Sequence, residues 1–221
     1  MKPKKVAVIR SYGEVKKIKN SGADVIELRV DLLNKNIASD PRKIVRFIKR
    51  IKGSAGLPVI TTIRLKNEGG KFSGSEKSRL AIFKKIIPYA DYIDIELNSS
   101  IFDAVCGLAK NKKKIVSYHN FKMTPPGASI KHILERYKKT GLFRSPRQCI
   151  LKIACMVKNK RDLSRLLAFT EKYAKKWRVS VIPMGKCGQP GRIIAPSLGS
   201  VLSYFSASKP VAPGQITLKN K

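Results

Sequence analysis

The sequence has 221 residues, 43% of them hydrophobic, which is enough chain for one α/β barrel or one to two ordinary domains around a large core. It carries 47 Lys and Arg against 14 Asp and Glu, a net charge of +33, and it has no apolar run of about 18 residues, so no membrane-spanning helix is expected. The charge favours casual adhesion to polyanions, but the basic residues are dispersed along helix faces such as Arg42, Lys43, Arg46, Lys49 and Arg50, with no basic tail and no interleaved aromatics, so specific nucleic-acid recognition is not expected. The basic start resembles that of a signal peptide, yet the apolar segment behind it, Val6 to Ile9, is too short, and a cytoplasmic chain is expected. From there to the C-terminus short apolar runs alternate with helical patterns. Strands are expected over Val6–Arg10, Asp24–Val30, Pro58–Arg64, Asp91–Leu97, Lys114–His119, Cys149–Ala154, Arg178–Met184 and Ser203–Ala207.

Four stripes at helical spacing lie between them: Ile44, Phe47, Ile48 and Ile51; Leu80, Phe83, Ile86 and Ile87; Ile130, Ile133, Leu134 and Tyr137; Leu163, Leu166 and Leu167. Repeated strand-then-helix units without a linker predict a single (β/α)8 barrel over 1–221 rather than an open dinucleotide-binding sheet, and no G-x-G-x-x-G follows the first strand. The last unit is incomplete. After Gln215 only Ile216 to Lys221 remain, so the eighth helix is expected to be short or missing, with something else covering that flank, such as a partner subunit. Cys106, Cys149, Cys155 and Cys187 form no C-x-x-C pair and lie near no histidine at ligand spacing, so reduced thiols and no metal site are expected.

In such a barrel the chemistry sits at the C-terminal ends of the strands. The second strand ends Glu27-Leu-Arg29-Val-Asp31, and alternation puts its three charges on one face, paired with one another or facing a ligand. The third ends Thr61-Thr-Ile-Arg64 and runs into a loop with Glu68, Gly69 and Gly70, which is either a close approach to a ligand or a plain turn. The fourth ends Asp94-Ile-Glu96. The fifth ends Ser117-Tyr-His119-Asn-Phe121, and a histidine there suits general acid–base work near neutral pH, whereas His132 lies on a helix surface. The sixth carries one lysine, Lys152, in the apolar run Gln148 to Val157. Desolvation would make its amine a nucleophile able to condense with a ketone, unless the ammonium reaches past the strand end into water. The seventh ends Pro183-Met184-Gly185 before a loop with Arg192, a residue type suited to a carboxylate. Ala212-Pro-Gly-Gln215 after the eighth is either a lid or an inert turn.

Taken in order, these motifs, with Thr124-Pro125, Lys152-Ile-Ala154 and Leu198-Gly199-Ser200, resemble type I 3-dehydroquinate dehydratase. The resemblance covers nearly the whole chain. It implies a (β/α)8 barrel, often dimeric, that uses neither metal nor organic cofactor and converts 3-dehydroquinate to 3-dehydroshikimate and water. By similarity Lys152 forms the Schiff base, His119 moves protons, and Glu68 orients His119. Glu27, Arg29 and Arg64 match residues holding ring hydroxyls, Arg192 matches the clamp on the substrate carboxylate with Gln215 on the closing loop, and Met184 matches an apolar wall. The departures are Gly191 and Val211, where relatives often carry serine, with Ser208 as a candidate substitute, and the shortened C-terminus. Two other readings stand beside this one. A Schiff-base aldolase shares the lysine and the barrel but not the Glu-Gly-Gly and arginine pattern. A nucleic-acid-binding protein is suggested only by the charge.

Overall fold

The computed structural model describes residues 2–18, 21–145 and 147–218. In chain order the elements are β1 (Lys4–Ile9), α1 (Gly13–Lys16), β2 (Val25–Arg29), α2 (Lys35–Ala38), α3 (Pro41–Ala55), β3 (Val59–Thr62), α4 (Glu76–Ile86), β4 (Tyr92–Glu96), α5 (Phe102–Leu108), β5 (Lys113–Asn120), α6 (Gly127–Lys139), β6 (Cys149–Met156), α7 (Lys160–Ala174), β7 (Val179–Met184), α8 (Gln189–Ser197), β8 (Leu202–Ser206) and the two-residue β9 (Ile216–Thr217). All neighbouring strands pair in parallel in the order β7-β6-β5-β4-β3-β2-β1-β8-β9, an α/β arrangement curled into a TIM-like barrel. Each expected strand is present, with ends displaced by no more than two residues. β1 begins at Lys4 and β6 runs on to Met156, because a ladder joins backbone groups and does not stop where apolar side chains stop.

Local signals explain where the helices begin. Asp40 accepts a hydrogen bond from the Arg42 amide ahead of Pro41 at the start of α3, and Ser75 and Asn159 do the same for Ser78 and Asp162 at α4 and α7. The stripes then dock on the sheet. Ile44, Ile48 and Ile51 are fully buried, each stabilising the packing by about 1.5–3 kcal/mol relative to exposure. On α4 the stripe differs from the expected one: Arg79, Phe83 and Ile86 face inward and Leu80 is only half-buried.

Strand alternation divides the core in two. One set, including Ile26, Leu28, Ile93, Leu151 and Val179, lies between sheet and helices. The other fills the barrel interior with Val6, Val8, Ile60, Tyr92, Ile115, Ile150, Leu202 and Tyr204. Above that apolar floor the inward positions become polar: Glu27, Thr62, Asp94, Ser117 and Lys152 are all buried.

The seam between β7 and β8 is unlike the other joints. Val201 N donates to Val179 O at 2.9 Å, Ser180 Oγ donates to Leu202 O at 3.0 Å, and Ser200 Oγ accepts from Val181 N at 3.1 Å. Higher up, β9 pairs with Phe205 and Ser206 along the same edge of β8. Among the described residues no helix follows β8, and β9 lies where the expected helix would begin.

Candidate active site

The register of β5 against β6 sets Ser117 beside Lys152 and His119 beside Ala154, so the amine and the imidazole project from adjacent strands one step apart. Lys152 is 5% exposed, and the groups around its amine are charged or aromatic. Nζ donates to Asp94 Oδ2 at 3.0 Å, lies 3.6 Å from Glu27 Oε1, and sits 4.2 Å from the ring centroid of Tyr204. Two carboxylates and the negative face of an aromatic ring therefore surround the nitrogen, an arrangement that suits a cation formed there. Glu27 is fixed in turn by Thr62 Oγ1, which donates to it at 2.8 Å.

Glu68 reaches His119 from the third loop. A 3-10 turn over Lys66–Glu68 ends at Gly69, whose φ of +77° is a left-handed conformation. A Cβ on Gly69 would lie 2.1 Å from Phe121, and one on Gly70 would lie 2.1 Å from the Arg64 carbonyl oxygen. The paired glycines thus let the loop pass close over β5 and β3, and Glu68 arrives with Oε2 at 3.0 Å from His119 Nδ1 and 3.2 Å from its amide nitrogen. Burial pushes the Glu68 carboxyl up to about 8, against the pull of Arg64. Burial likewise holds His119 well below its ordinary value, helped by Arg64 and Lys152. The dyad near neutral pH is a carboxylic acid hydrogen-bonded to a neutral imidazole, which leaves the imidazole able to accept a proton.

Arg64 and Arg29 are more tightly engaged than their sequence positions suggest. Arg64 donates to Ser117 Oγ and Asp94 Oδ1, both at 2.7 Å, and Nη1 lies 2.9 Å from Glu96 Oε1. Burial opposes the Asp94 carboxylate, but Arg64 and Lys152 outweigh that cost and hold its pKa far below the usual range. Arg29 forms a two-pronged pair with Asp31 at 2.9 and 2.7 Å. Asp94, Ser117 and Tyr204 were missed as site residues. Alternation along Asp94-Ile-Glu96 was the available signal for Asp94, and nothing local marked Tyr204, whose buried hydroxyl has no hydrogen-bond partner among the described residues.

One cavity gathers every expected residue. Its lining includes Glu27, Arg29, Arg64, Glu68, His119 and Lys152 below, and Met184, Arg192, Val211 and Gln215 at the mouth. The segment after β8 lies across that mouth: Pro213 O accepts from Gly185 N at 3.1 Å and from Arg192 Nη2 at 3.2 Å, and Gln215 Oε1 accepts from Val211 N at 2.9 Å. Arg192 has no carboxylate partner among the described residues, its Nε is buried without a hydrogen bond, and burial pulls it down to about 10. A guanidinium left without an anion at a cavity mouth is a receptor for one. No three His, Cys, Asp or Glu side chains are grouped to hold a metal ion among the described residues.

The family model for type I 3-dehydroquinase matches residues 8–220. The chain belongs to that family. It is 39% identical over 216 residues to the 3-dehydroquinate dehydratase of Methanocella arvoryzae, covering 97% of this chain and 91% of the relative, and 39% identical over 201 residues to that of Thermodesulfovibrio yellowstonii, covering 90% and 83%. The crystal structure of the Aquifex aeolicus 3-dehydroquinate dehydratase superposes with a TM-score of 0.82 at 32% identity, covering 97% of this chain and 93% of that one. A type I enzyme from Clostridium difficile, solved with covalently modified comenic acid, gives 0.87 at 27% identity, covering 98% and 88%. The activity is therefore dehydration of 3-dehydroquinate, a hydro-lyase reaction of the shikimate pathway.

The structure shows the surroundings of the two positions expected to depart from the type I pattern. A Cβ on Gly191 would lie 2.4 Å from the Leu163 Cδ1 and 2.9 Å from the Pro183 ring, so a side chain there requires Leu163 and Pro183 to shift. Val211, where the resemblance leads one to expect a serine, lines the cavity with an apolar side chain. Ser208 does not replace that hydroxyl: its Oγ donates to Glu14, beneath Arg10, and it is not part of the cavity lining.

Proposed function

We propose that Lys152 is the Schiff-base lysine of this dehydration and His119 its proton shuttle, with Glu68 holding the imidazole. The observation that carries the assignment is that one amine and one imidazole, on adjacent strands, line one cavity. Lys152 Nζ adds to the C3 carbonyl of 3-dehydroquinate, and loss of water leaves an iminium. Asp94 Oδ2, Glu27 and the Tyr204 face surround the nitrogen on which that positive charge develops. Neutral His119 takes the proton from C2, and the C–H electron pair moves toward nitrogen as an enamine. The enamine expels the C1 hydroxyl, which His119, now an imidazolium, protonates so that it leaves as water. Hydrolysis of the conjugated iminium consumes one water, releases 3-dehydroshikimate and restores the amine.

Arg192, without a carboxylate partner among the described residues, suits the substrate's carboxylate, with Gln215 beside it. Glu27, Arg29 and Arg64 suit the ring hydroxyls, and Met184 the apolar edge of the ring. The covalent comenic acid in the Clostridium difficile relative supports covalent chemistry in the family. The family likeness also supports a homodimer built from one catalytic domain over residues 1–221 and working in the cytoplasm, with no specific nucleic-acid partner. Light scattering on the purified chain tests the dimer. Lys152→Ala tests the main assignment: ultraviolet absorbance of the conjugated enone should stay at background, and full turnover by that variant would remove Lys152 from the mechanism.

A further inference from the structure

Resting on the assignment of Lys152 as the covalent amine, the geometry points to Arg79, a helix residue outside the barrel, as a positioning residue for that amine. Arg79 lies on α4, does not line the cavity, and heads the fully buried side chains by size among the described residues. Its Nη2 donates to Glu96 Oε2 at 2.7 Å and to Ser99 Oγ at 3.1 Å, and Nε lies 3.0 Å from Glu76 Oε2. The angle at Nε is too poor for a hydrogen bond, so the Glu76 contact is Coulombic and the strong partner is Glu96.

Glu96 turns its other oxygen the opposite way. Oε1 lies 2.9 Å from Arg64 Nη1 and accepts from Leu65 N at 3.2 Å. Arg64 passes the contact to Asp94 Oδ1 at 2.7 Å, and Asp94 Oδ2 accepts from Lys152 at 3.0 Å. Each carboxylate gives one oxygen to one cation and the second to the next, so a row of alternating charges runs unbroken from α4 to the amine. Removing Arg79 would leave Glu96 Oε2 buried without a partner. Glu96 would then be free to turn, Arg64 would follow its anions, and Asp94 would lose the fixed orientation that aims Lys152 into the cavity.

The row also carries charge information. The groups around Lys152 are Asp94, Glu27, Arg64, His119 and the Tyr204 ring, and those around Arg79 are Glu96, Glu76, Ser99 and the Phe83 ring, 5.6 Å away. Deleting the Arg79 cation leaves one uncompensated negative charge on the amine's side of the helix. That favours the cationic form of whatever basic group faces it, so attack on the ketone needs more alkaline solution. Deleting the Glu76 anion at the outer end works in the opposite sense and more weakly.

The test uses the full chain as wild type, Arg79→Met, Arg79→Lys and Glu76→Gln. Turnover is followed by enone absorbance, and the rate of borohydride trapping with 3-dehydroquinate is followed across pH. Arg79→Met should lower kcat by about ten- to a hundredfold with KM near the wild-type value, and it should move the midpoint of the trapping profile alkaline by about one unit. Arg79→Lys should recover part of both, and Glu76→Gln should move the midpoint slightly acidic. A merely structural role would lower the melting temperature and leave kcat and the midpoint of the folded enzyme unchanged, and that result overturns the inference. If Arg79→Met does not fold, a Glu76→Gln midpoint that stays put or moves alkaline overturns it equally. A wild type that traps nothing refutes the Lys152 assignment instead, so the two failures are distinguishable.

Discussion

The wall of the barrel from β2 to β6 and the seam between β7 and β8 are held by different chemistry. Along the wall every strand has a continuous ladder to its neighbours, and the inward side chains form the buried charge row that contains Arg64, Asp94 and Lys152. At the seam one backbone bond and two serine hydroxyls do the joining, and the residues across the mouth are Pro213, Gly214 and Gln215. The difference follows from what each side must do. Buried charges keep their alignment only if the backbone beneath them is fixed, because a carboxylate that loses its partner costs more than the pair contributes. A segment that closes over a ligand has to be able to leave, which a full ladder would prevent.

Variants on each side should therefore fail in different ways. The largest effect is expected on the wall. His119→Ala should lower kcat by about 10²- to 10⁴-fold in the enone assay, yet borohydride with substrate should still label Lys152, because the amine keeps Asp94 and Glu27. Loss of labelling together with turnover would mean that the imidazole builds the site and does not only move protons.

At the seam the damage should appear in binding. Gly214 has φ +70°, and a Cβ there would lie 2.4 Å from the Gly185 carbonyl oxygen. Gly214→Ala forces a side chain into that backbone at a cost of about 1–3 kcal/mol, which the closed mouth must absorb. KM for 3-dehydroquinate should rise roughly tenfold, with a much smaller change in kcat. A pure kcat loss in steady-state kinetics would place this loop in the chemistry and erase the distinction between the two regions.

A smaller effect separates structure from chemistry within the wall. The folded Glu68 carboxyl is raised to about 8 from the usual 4.5, so between those values the folded chain keeps a proton that the unfolded chain has lost. Its contribution to stability is fully present below pH 4.5 and is lost as pH rises toward 8. His119 runs the other way: with a lowered folded value, its contribution is present above 6.5 and is lost as pH falls. Glu68→Gln removes only the first dependence. The melting temperature of the variant minus that of the wild type should become more positive from pH 5 to pH 8, and a flat or falling difference would show that Glu68 is ionised in the folded enzyme.

How much of this was readable in advance differs along the same line. The eight strands follow from apolar patterning, and Lys152, His119 and Arg192 stand out as residue types within strands, at strand ends or in the loops after them, all local signals; Met184 and Gln215 were named as site residues by the family resemblance, which spans nearly the whole chain. The charge row is not local. Asp94 meets Lys152 because β4 and β6 flank β5 with a particular register, and no spacing in the sequence encodes that meeting. The apolar run around Lys152 says nothing of its cross-barrel neighbours for this reason: the neighbours along its own strand are apolar, and the carboxylates come from β2 and β4. Arg79 was not singled out from the sequence, although it shares the i, i+4, i+7 stripe of Phe83 and Ile86. A cation on an apolar stripe was a legible hint of a buried partner. The likeness of motif order to known enzymes also named Arg64 as a ligand for substrate hydroxyls without indicating that its guanidinium already holds Asp94, Glu96 and Ser117.

The most direct test is to reduce the wild-type enzyme with borohydride in the presence of 3-dehydroquinate and map the modified peptide by mass spectrometry. The account predicts one substrate-derived adduct, on the peptide carrying Lys152, with activity lost in proportion to labelling. An adduct on any other lysine, or an unmodified Lys152 in enzyme that turns over fully, would contradict it.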